Sequence, residues 1–201
     1  MARVSEVTTD EPFVAADADT KDWTWVLDRA CPDCGVAAGA VPLTAVPDLL
    51  AAAAATWTTV LDGPGTDPDR LRRRPRPGVW STTEYAAHVR DVHRVFDDRL
   101  ALVLAAPGDE GATFASWDQD AAAESGRYDL EDPRDVAQEL AAASARVAER
   151  YAGVRPEDAG RRGLRSNGSA FTVTTLARYH LHDVLHHLHD VGAPVPGGGA
   201  A

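Results

Sequence analysis

Four stretches of this chain space their apolar residues at intervals of three and four, and each begins with a helix-starting residue and ends with a helix-stopping one. That punctuation leaves few folds open, because a helix with one apolar stripe is stable only when the stripe is buried against other elements. The first stretch begins near Pro47 and Asp48, runs through the alanine-rich segment from Leu49 to Leu61 and stops at Gly63, Pro64 and Gly65. The second opens on Ser81 with Glu84 three residues on. This is a capping box, in which each side chain satisfies a free backbone N–H of the first turn. It continues to about Ala106, before Pro107 and Gly108. The third starts at Asp132, with Pro133 in the favoured first position, and carries Val136, Leu140, Ala143, Val147 and Tyr151 before stopping around Gly153 to Pro156. Thr172 caps the fourth, which ends at Val191 with Gly192 and Pro194 beyond. Strand-like alternation is short and rare. The fold class is therefore all-α, a four-helix bundle.

The 201 residues, 44% of them hydrophobic, suffice for one domain with a substantial core. We expect an irregular N-terminal extension over residues 1–42, the bundle over 43–192 and a flexible tail over 193–201. The first twenty residues are polar and acidic, and we expect them to be disordered or loosely draped. Arginines 70, 72, 73, 74 and 76, interleaved with Pro75 and Pro77, mark an extended connector, and the excursion from Gly108 to Glu131 folds back over one end. A formal net charge of -11 repels a phosphate backbone, so no nucleic-acid partner is expected. With no run of eighteen apolar residues and an acidic N-terminus, the chain reads as a cytoplasmic protein without a membrane partner.

All seven histidines fall in two stretches, His88 and His93 on the second helix and His180, His182, His186, His187 and His189 on the fourth. Tyr85, His88, Val89, Val92 and Phe96 share a stripe, which turns His88 inward, while His93 at its edge reads as a surface residue. His182 and His186, one helical turn apart, form the spacing of a paired metal ligand. An interior His88 opposite that pair supplies three nitrogen donors and leaves an open coordination position, for zinc first and nickel or ferrous iron next. The plain alternatives are a solvated histidine-rich face and a hydrogen-bonded core His88.

Cys31 and Cys34, the only cysteines, make half of a zinc-knuckle signal in Cys31-Pro32-Asp33-Cys34-Gly35. Three readings stay open: a structural metal completed by histidines, a redox dithiol, and a turn with two reduced thiols. The turn is favoured, since the strand-to-helix context of a redox pair is missing. Trp23 and Trp25 are expected to pack the leader onto the bundle, and Trp57, Trp80 and Trp117 to serve as core or end-cap residues.

The run from Gly78 through Trp80-Ser81-Thr82-Thr83-Glu84-Tyr85-Ala86-Ala87-His88 to Val92 resembles the start of the second helix in the DinB-like superfamily. The run His182-Asp183-Val184-Leu185-His186-His187 is similar to that superfamily's last bundle helix. The resemblance implies a four-helix bundle holding a divalent metal, often nickel or zinc, on a histidine triad that maps to His88, His182 and His186. Some relatives, including mycothiol-dependent maleylpyruvate isomerases, carry Glu at the first position of the last-helix pair. A register shifted by one makes Asp183 and His187 the pair. It further implies a thiol-dependent transferase or isomerase that takes a small-molecule substrate and a low-molecular-weight thiol such as mycothiol as cosubstrate. Asp183, His187 and His189 are then the groups expected to orient a ligand imidazole or shuttle a proton. The competing readings are a metal-dependent hydrolase and a noncatalytic metal-binding or stress-related module that forms a homodimer through an exposed helix face.

Overall fold

The computed structural model describes residues 12–18, 22–107 and 111–197. Among them, four long helices form the bundle: α1 (Val46–Asp62), α3 (Thr82–Ala105), α5 (Pro133–Ala152) and α6 (Val173–Asp190). Their starts follow from local chemistry. Ser81 Oγ accepts the Glu84 N–H at 3.2 Å while Glu84 Oε2 accepts the Ser81 N–H at 2.8 Å. Thr172 and Thr175 exchange the same pair of bonds at the head of α6, and Asp132 accepts the Arg134 N–H at 2.8 Å before α5. At the end of α6 Gly192 takes a φ of +70°, the left-handed stop that its position suggests.

The bundle is not wound up-and-down. α1 and α3 each pack on both α5 and α6, so α1 lies diagonally from α3 and α5 from α6. Two of the three connections must therefore cross the bundle end. The first contains a short helix, α2 (Pro68–Arg72), where the sequence reads as extended; Asp67 caps it by accepting the Asp69 and Arg70 N–H groups. The second contains a hairpin of β2 (Arg162–Arg165) and β3 (Ala170–Thr172). The excursion after α3 contributes β1 (Ala112–Phe114), which pairs parallel to β2, and α4 (Gln119–Gly126). These strands, of three or four residues, are too short to leave a periodic signal in sequence. Gly163 is needed where β2 meets α3, since a Cβ there would lie 2.7 Å from the Phe114 ring and 2.8 Å from a Val103 methyl.

The core is built on Leu50, Trp57 and Leu61 of α1, Leu100 of α3, Leu140 of α5 and Leu176, Leu181, Leu185 and Leu188 of α6, all buried. Leu43–Asp62 is long and apolar enough to cross a membrane by length and composition, but here its apolar face is spent on the bundle. Unlike a surface helix, α3 is enclosed on most sides and buries Arg90, His93, Asp97 and Arg99 beside its apolar stripe. This corrects the surface placement of His93: it is 0% exposed, and its Nδ1 lies 3.0 Å from His180 Nε2. The stripe predicts which side of α3 meets the first neighbour, not that a second neighbour covers the edge.

Ahead of α1, the 3-10 turns Thr24–Leu27, Ala38–Ala40 and Leu43–Ala45 run along α6, and Arg178 Nε donates to Val41 O at 2.8 Å. Of the acidic leader, residues 12–18 cross the head of α3, with the Asp17 N–H donating to Gly78 O at 2.9 Å; residues 1–11 and 19–21 lie outside the described residues, as do 198–201 of the tail.

Candidate metal centre

α6 carries two ligand-type pairs, each spaced by one turn: His182 with His186, and Asp183 with His187. Neighbouring positions differ by about 100° around a helix, so the two pairs face different partners. Asp183 and His187 face α3. His88 Nε2 lies 3.4 Å from Asp183 Oδ1, His187 Nε2 lies 3.5 Å from the same oxygen, and the three donor atoms all fall within 4.8 Å of one another. These separations are long for charge-assisted hydrogen bonds, which run to about 2.9 Å. They match the roughly 3.3 Å edge between two ligands on one tetrahedral ion with bonds near 2.0–2.1 Å. Both ring nitrogens of His88 and Asp183 Oδ1 are buried without a hydrogen-bond partner among the described residues. Buried polar groups in a native fold are paired, and a cation would supply the partner that Nε2 and Oδ1 lack here.

The electrostatics prepare these groups as ligands. Burial pushes the His88 imidazole below its ordinary range, which keeps it neutral with a lone pair to offer. Burial alone would raise Asp183, yet the contact with His88 and the neighbouring imidazoles hold its carboxyl well below the usual carboxylate range. His187 Nδ1 donates to Asp190 Oδ2 at 2.8 Å, a bond that fixes the tautomer and leaves the Nε2 lone pair facing Asp183.

His182 and His186 turn instead to the N-terminal extension. His182 Nε2 is 3.7 Å from Cys34 Sγ and His186 Nδ1 is 3.7 Å from Cys31 Sγ, and the four donor atoms lie within 4.8 Å of one another. The Cys-Pro-Asp-Cys-Gly turn is closed by the Gly35 N–H on Cys31 O at 2.8 Å and the Cys31 N–H on Val36 O at 3.0 Å. It requires Gly35 at a φ of +73°. Both thiols are free. Burial pushes the Cys34 thiol up to about 11 and His182 down to about 4. The Trp23 ring covers both imidazoles, with centroids 5.7 Å from His182 and 5.0 Å from His186.

The triad drawn from the sequence, His88 with His182 and His186, is thus divided between two groups. The pair named as the shifted register, Asp183 and His187, is the one beside His88, so these two stand as candidate ligands. His189 is exposed at the cavity rim, its ring 6.2 Å from that of His186. Asp190 escaped the sequence reading, although its position three residues after His187 and four after His186 puts it within helical reach of both.

Above the His88 group lies a cavity of about 880 Å³ walled by Trp23, Trp80, Trp117, Tyr85 and Tyr179. Trp80 and Trp117 flank His88, each with its ring centroid 5.3 Å away. A second lobe of about 390 Å³ shares Asp183 and contains Arg99 and Arg165. Arg99 is 7% exposed, donates to Ala115 O at 3.1 Å and lies over the Phe96 and Phe114 rings. Burial, with help from the nearby Arg165 charge, lowers it to about 10, so it remains a cation at neutral pH. Arg165 bonds Asn167 and Ser169, and among the described residues neither guanidinium has a carboxylate within ion-pair distance. Sequence reasoning passed over both arginines, whose significance depends on what the fold leaves unpaired.

The family model of the DinB superfamily matches residues 43–191. Among solved structures, the chain is similar to YfiT from Bacillus subtilis, described as a probable metal-dependent hydrolase with an unusual four-helix bundle topology. That similarity has a TM-score of 0.63 at 18% identity, over 73% of this chain and 82% of that one. The chain is also similar to a histidine-to-alanine mutant of mycothiol-dependent maleylpyruvate isomerase, with a TM-score of 0.62 at 12% identity, over 82% of this chain and 66% of that one. No curated protein shows significant similarity. At such identities the likeness is one of fold.

Proposed function

The chain belongs to the DinB superfamily, and from that premise we propose that it is a divalent-metal-dependent enzyme whose ion sits on His88, Asp183 and His187. We further propose that it joins or isomerises an anionic small molecule using a low-molecular-weight thiol, such as mycothiol, as cosubstrate. The observation that carries this reading is the convergence of three donor groups beside a cavity lined by Asp183 and His187, with the ring nitrogens of His88 and Asp183 Oδ1 buried without a hydrogen-bond partner among the described residues. Two imidazoles and a carboxylate suit zinc, nickel or ferrous iron. A divalent ion held there would supply Lewis acidity that lowers the pKa of a thiol or water on its open side.

The chain's own groups do the rest. Asp190 holds the His187 ring in its ligating tautomer and orientation. Trp80 and Trp117 keep His88 dry, which strengthens every charge interaction at the floor. Arg99 and Arg165, which have no carboxylate within ion-pair distance among the described residues, offer their guanidinium groups to a substrate carboxylate, orienting it against the floor of the cavity. His189 is exposed at the rim, placed to pass a proton to solvent. This reading puts the protein in the cytoplasm, where thiols stay reduced. The same donor set also serves hydrolysis, in which water takes the thiol's place, and that is the second reading.

Tag-free protein should carry an ion that His88→Ala and Asp183→Ala lose. Adding mycothiol should shift the visible spectrum of the cobalt-substituted wild type and leave that of His88→Ala unchanged. Unaltered metal content in both variants would remove the site. A loaded site that ignores thiol but turns over esters or amides would select hydrolysis.

A further inference from the structure

We propose that Cys31, Cys34, His182 and His186 form a second and closed metal site, a tetrahedral zinc centre that clamps the N-terminal extension onto α6 and so builds one wall of the cavity. None of its four residues belongs to the His88 group, so it stands or falls separately from the function proposed above.

The geometry is that of a shared ion. Zinc bound by two thiolates at about 2.3 Å and two imidazoles near 2.0–2.1 Å sets sulfur and nitrogen roughly 3.6 Å apart along each tetrahedron edge. The two contacts Cys34 Sγ to His182 Nε2 and Cys31 Sγ to His186 Nδ1 are both 3.7 Å. Segments 148 and 155 residues apart meet here with each sulfur matched to its own imidazole nitrogen. The cysteines come from a tight turn with a left-handed glycine directly after the second of them, which aims both sulfurs to one side, and the histidines come from consecutive turns of one helix. Cys31 is 1% exposed and His182 3%, with Cys34 partly buried, so a solvated histidine face does not describe the cluster. Thiolate with imidazole is a zinc donor set, and four protein ligands leave no position for substrate. The site is structural in kind.

Its consequence reaches the cavity. Trp23, tilted against both imidazoles, and Asp33, between the cysteines, line the cavity beside the His88 group, and both precede the residues matched by the family model. Without the clamp, the extension is held to α6 by three short 3-10 turns and the Arg178–Val41 bond. Asp190 joins the two centres: one carboxylate oxygen accepts from His187 Nδ1 at 2.8 Å, and the other lies 3.7 Å from His186 Nε2.

The decisive experiment is cobalt loading and metal analysis of full-length, tag-free protein, kept reduced with a phosphine and free of added thiol. Cys31 and Cys34 are the chain's only cysteines, so a sulfur-to-cobalt charge-transfer band in the near ultraviolet can arise only from this site. The wild type and His88→Ala should both show the band, with about two ions per chain falling to about one in His88→Ala. Cys31→Ser should lose the band, retain about one ion and expose the bond after Arg29 to trypsin. Cobalt uptake by the wild type without a sulfur band overturns the proposal, and that result does not depend on any variant folding. So does undiminished zinc in Cys31→Ser. Loss of the ion from His88→Ala alone would leave the proposed reaction centre standing and remove only this second site.

Discussion

The buried pair His93 and His180 makes the stability of this fold depend on pH. Both residues are 0% exposed, they share one contact of 3.0 Å, and His93 Nε2 and His180 Nδ1 have no partner among the described residues. Burial pushes His93 down to about 3, with the Asp183 charge opposing and failing to offset it, and pushes His180 well below its ordinary range. In the unfolded chain each titrates near pH 6.5. Between those limits the unfolded state binds more protons than the folded one, so stability is full above about pH 6.5 and falls as pH drops toward 3. The slope is about 1.4 kcal/mol per pH unit for each histidine, and from pH 8 to pH 5 His93 alone removes about 2 kcal/mol. Against a domain stability of about 5–15 kcal/mol, that is a substantial share. His93→Leu removes the titrating group and leaves His180 Nε2 unpaired, so the variant should be less stable at pH 8 by about 1–3 kcal/mol. The deficit should then shrink by about 2 kcal/mol at pH 5, because the variant has one proton fewer to take up on unfolding. Urea unfolding at both pH values measures this. Protonation of the imidazoles in the two candidate metal groups acts on both proteins alike and cancels in the comparison. Parallel curves for the two proteins across pH 5 to 8 would refute the reasoning.

Asp190→Ala should weaken metal binding at the His88 group by about 10–100-fold, because His187 loses the acceptor that fixes its tautomer. Asp190→Asn, whose amide oxygen can still accept, should lose less, and a chelator competition that finds Asp190→Ala unimpaired would count against that role. Arg74 sets its guanidinium on both carboxylate oxygens of Glu84, which is 1% exposed and also caps α3. Arg74→Met strands that charge and should cost about 3 kcal/mol in urea unfolding, with part recovered in the double variant with Glu84→Gln. Equal stability of both variants and the wild type would show that water reaches the carboxylate.

The parts of this fold that could be read from sequence are those set by neighbours in the chain. Ser81 with Glu84, Asp132 with Pro133, Thr172 and Gly192 each act within a single turn, so the long helices and their ends follow from local chemistry. The placement of α6 around its own axis did not follow. Leu181, Val184, Leu185 and Leu188 are all buried, an apolar surface too wide to define one inward direction, and the two ligand pairs straddle its polar remainder. Whether His182 or Asp183 meets His88 depends on that rotation, which is settled by what α3 and the N-terminal turns press against α6. The cysteine turn was legible as half of a zinc-knuckle signal, with a plain turn of two reduced thiols favoured. The histidines its sulfurs face are 148 and 155 residues away, on a pair already assigned to His88.

Those two rotational choices are one physical fact. A helix offers positions 182 and 186 to one side and 183 and 187 to another about 100° away, so a single turn of α6 can be held from both sides without either group using the other's ligands. The extension that packs on one side lies outside the matched residues 43–191, while α3, which faces the other side, lies within them. The His88 floor is thus made from the bundle that this chain shares with its relatives in fold, whereas Trp23 and Asp33 are added from residues before it. Substrate selection should accordingly respond to Trp23→Ala, while the ion on the floor should not. With the metal content held equal, a change in which thiol or substrate binds is the expected result for Trp23→Ala; an unchanged preference would assign selection to Trp80, Trp117 and the two arginines instead.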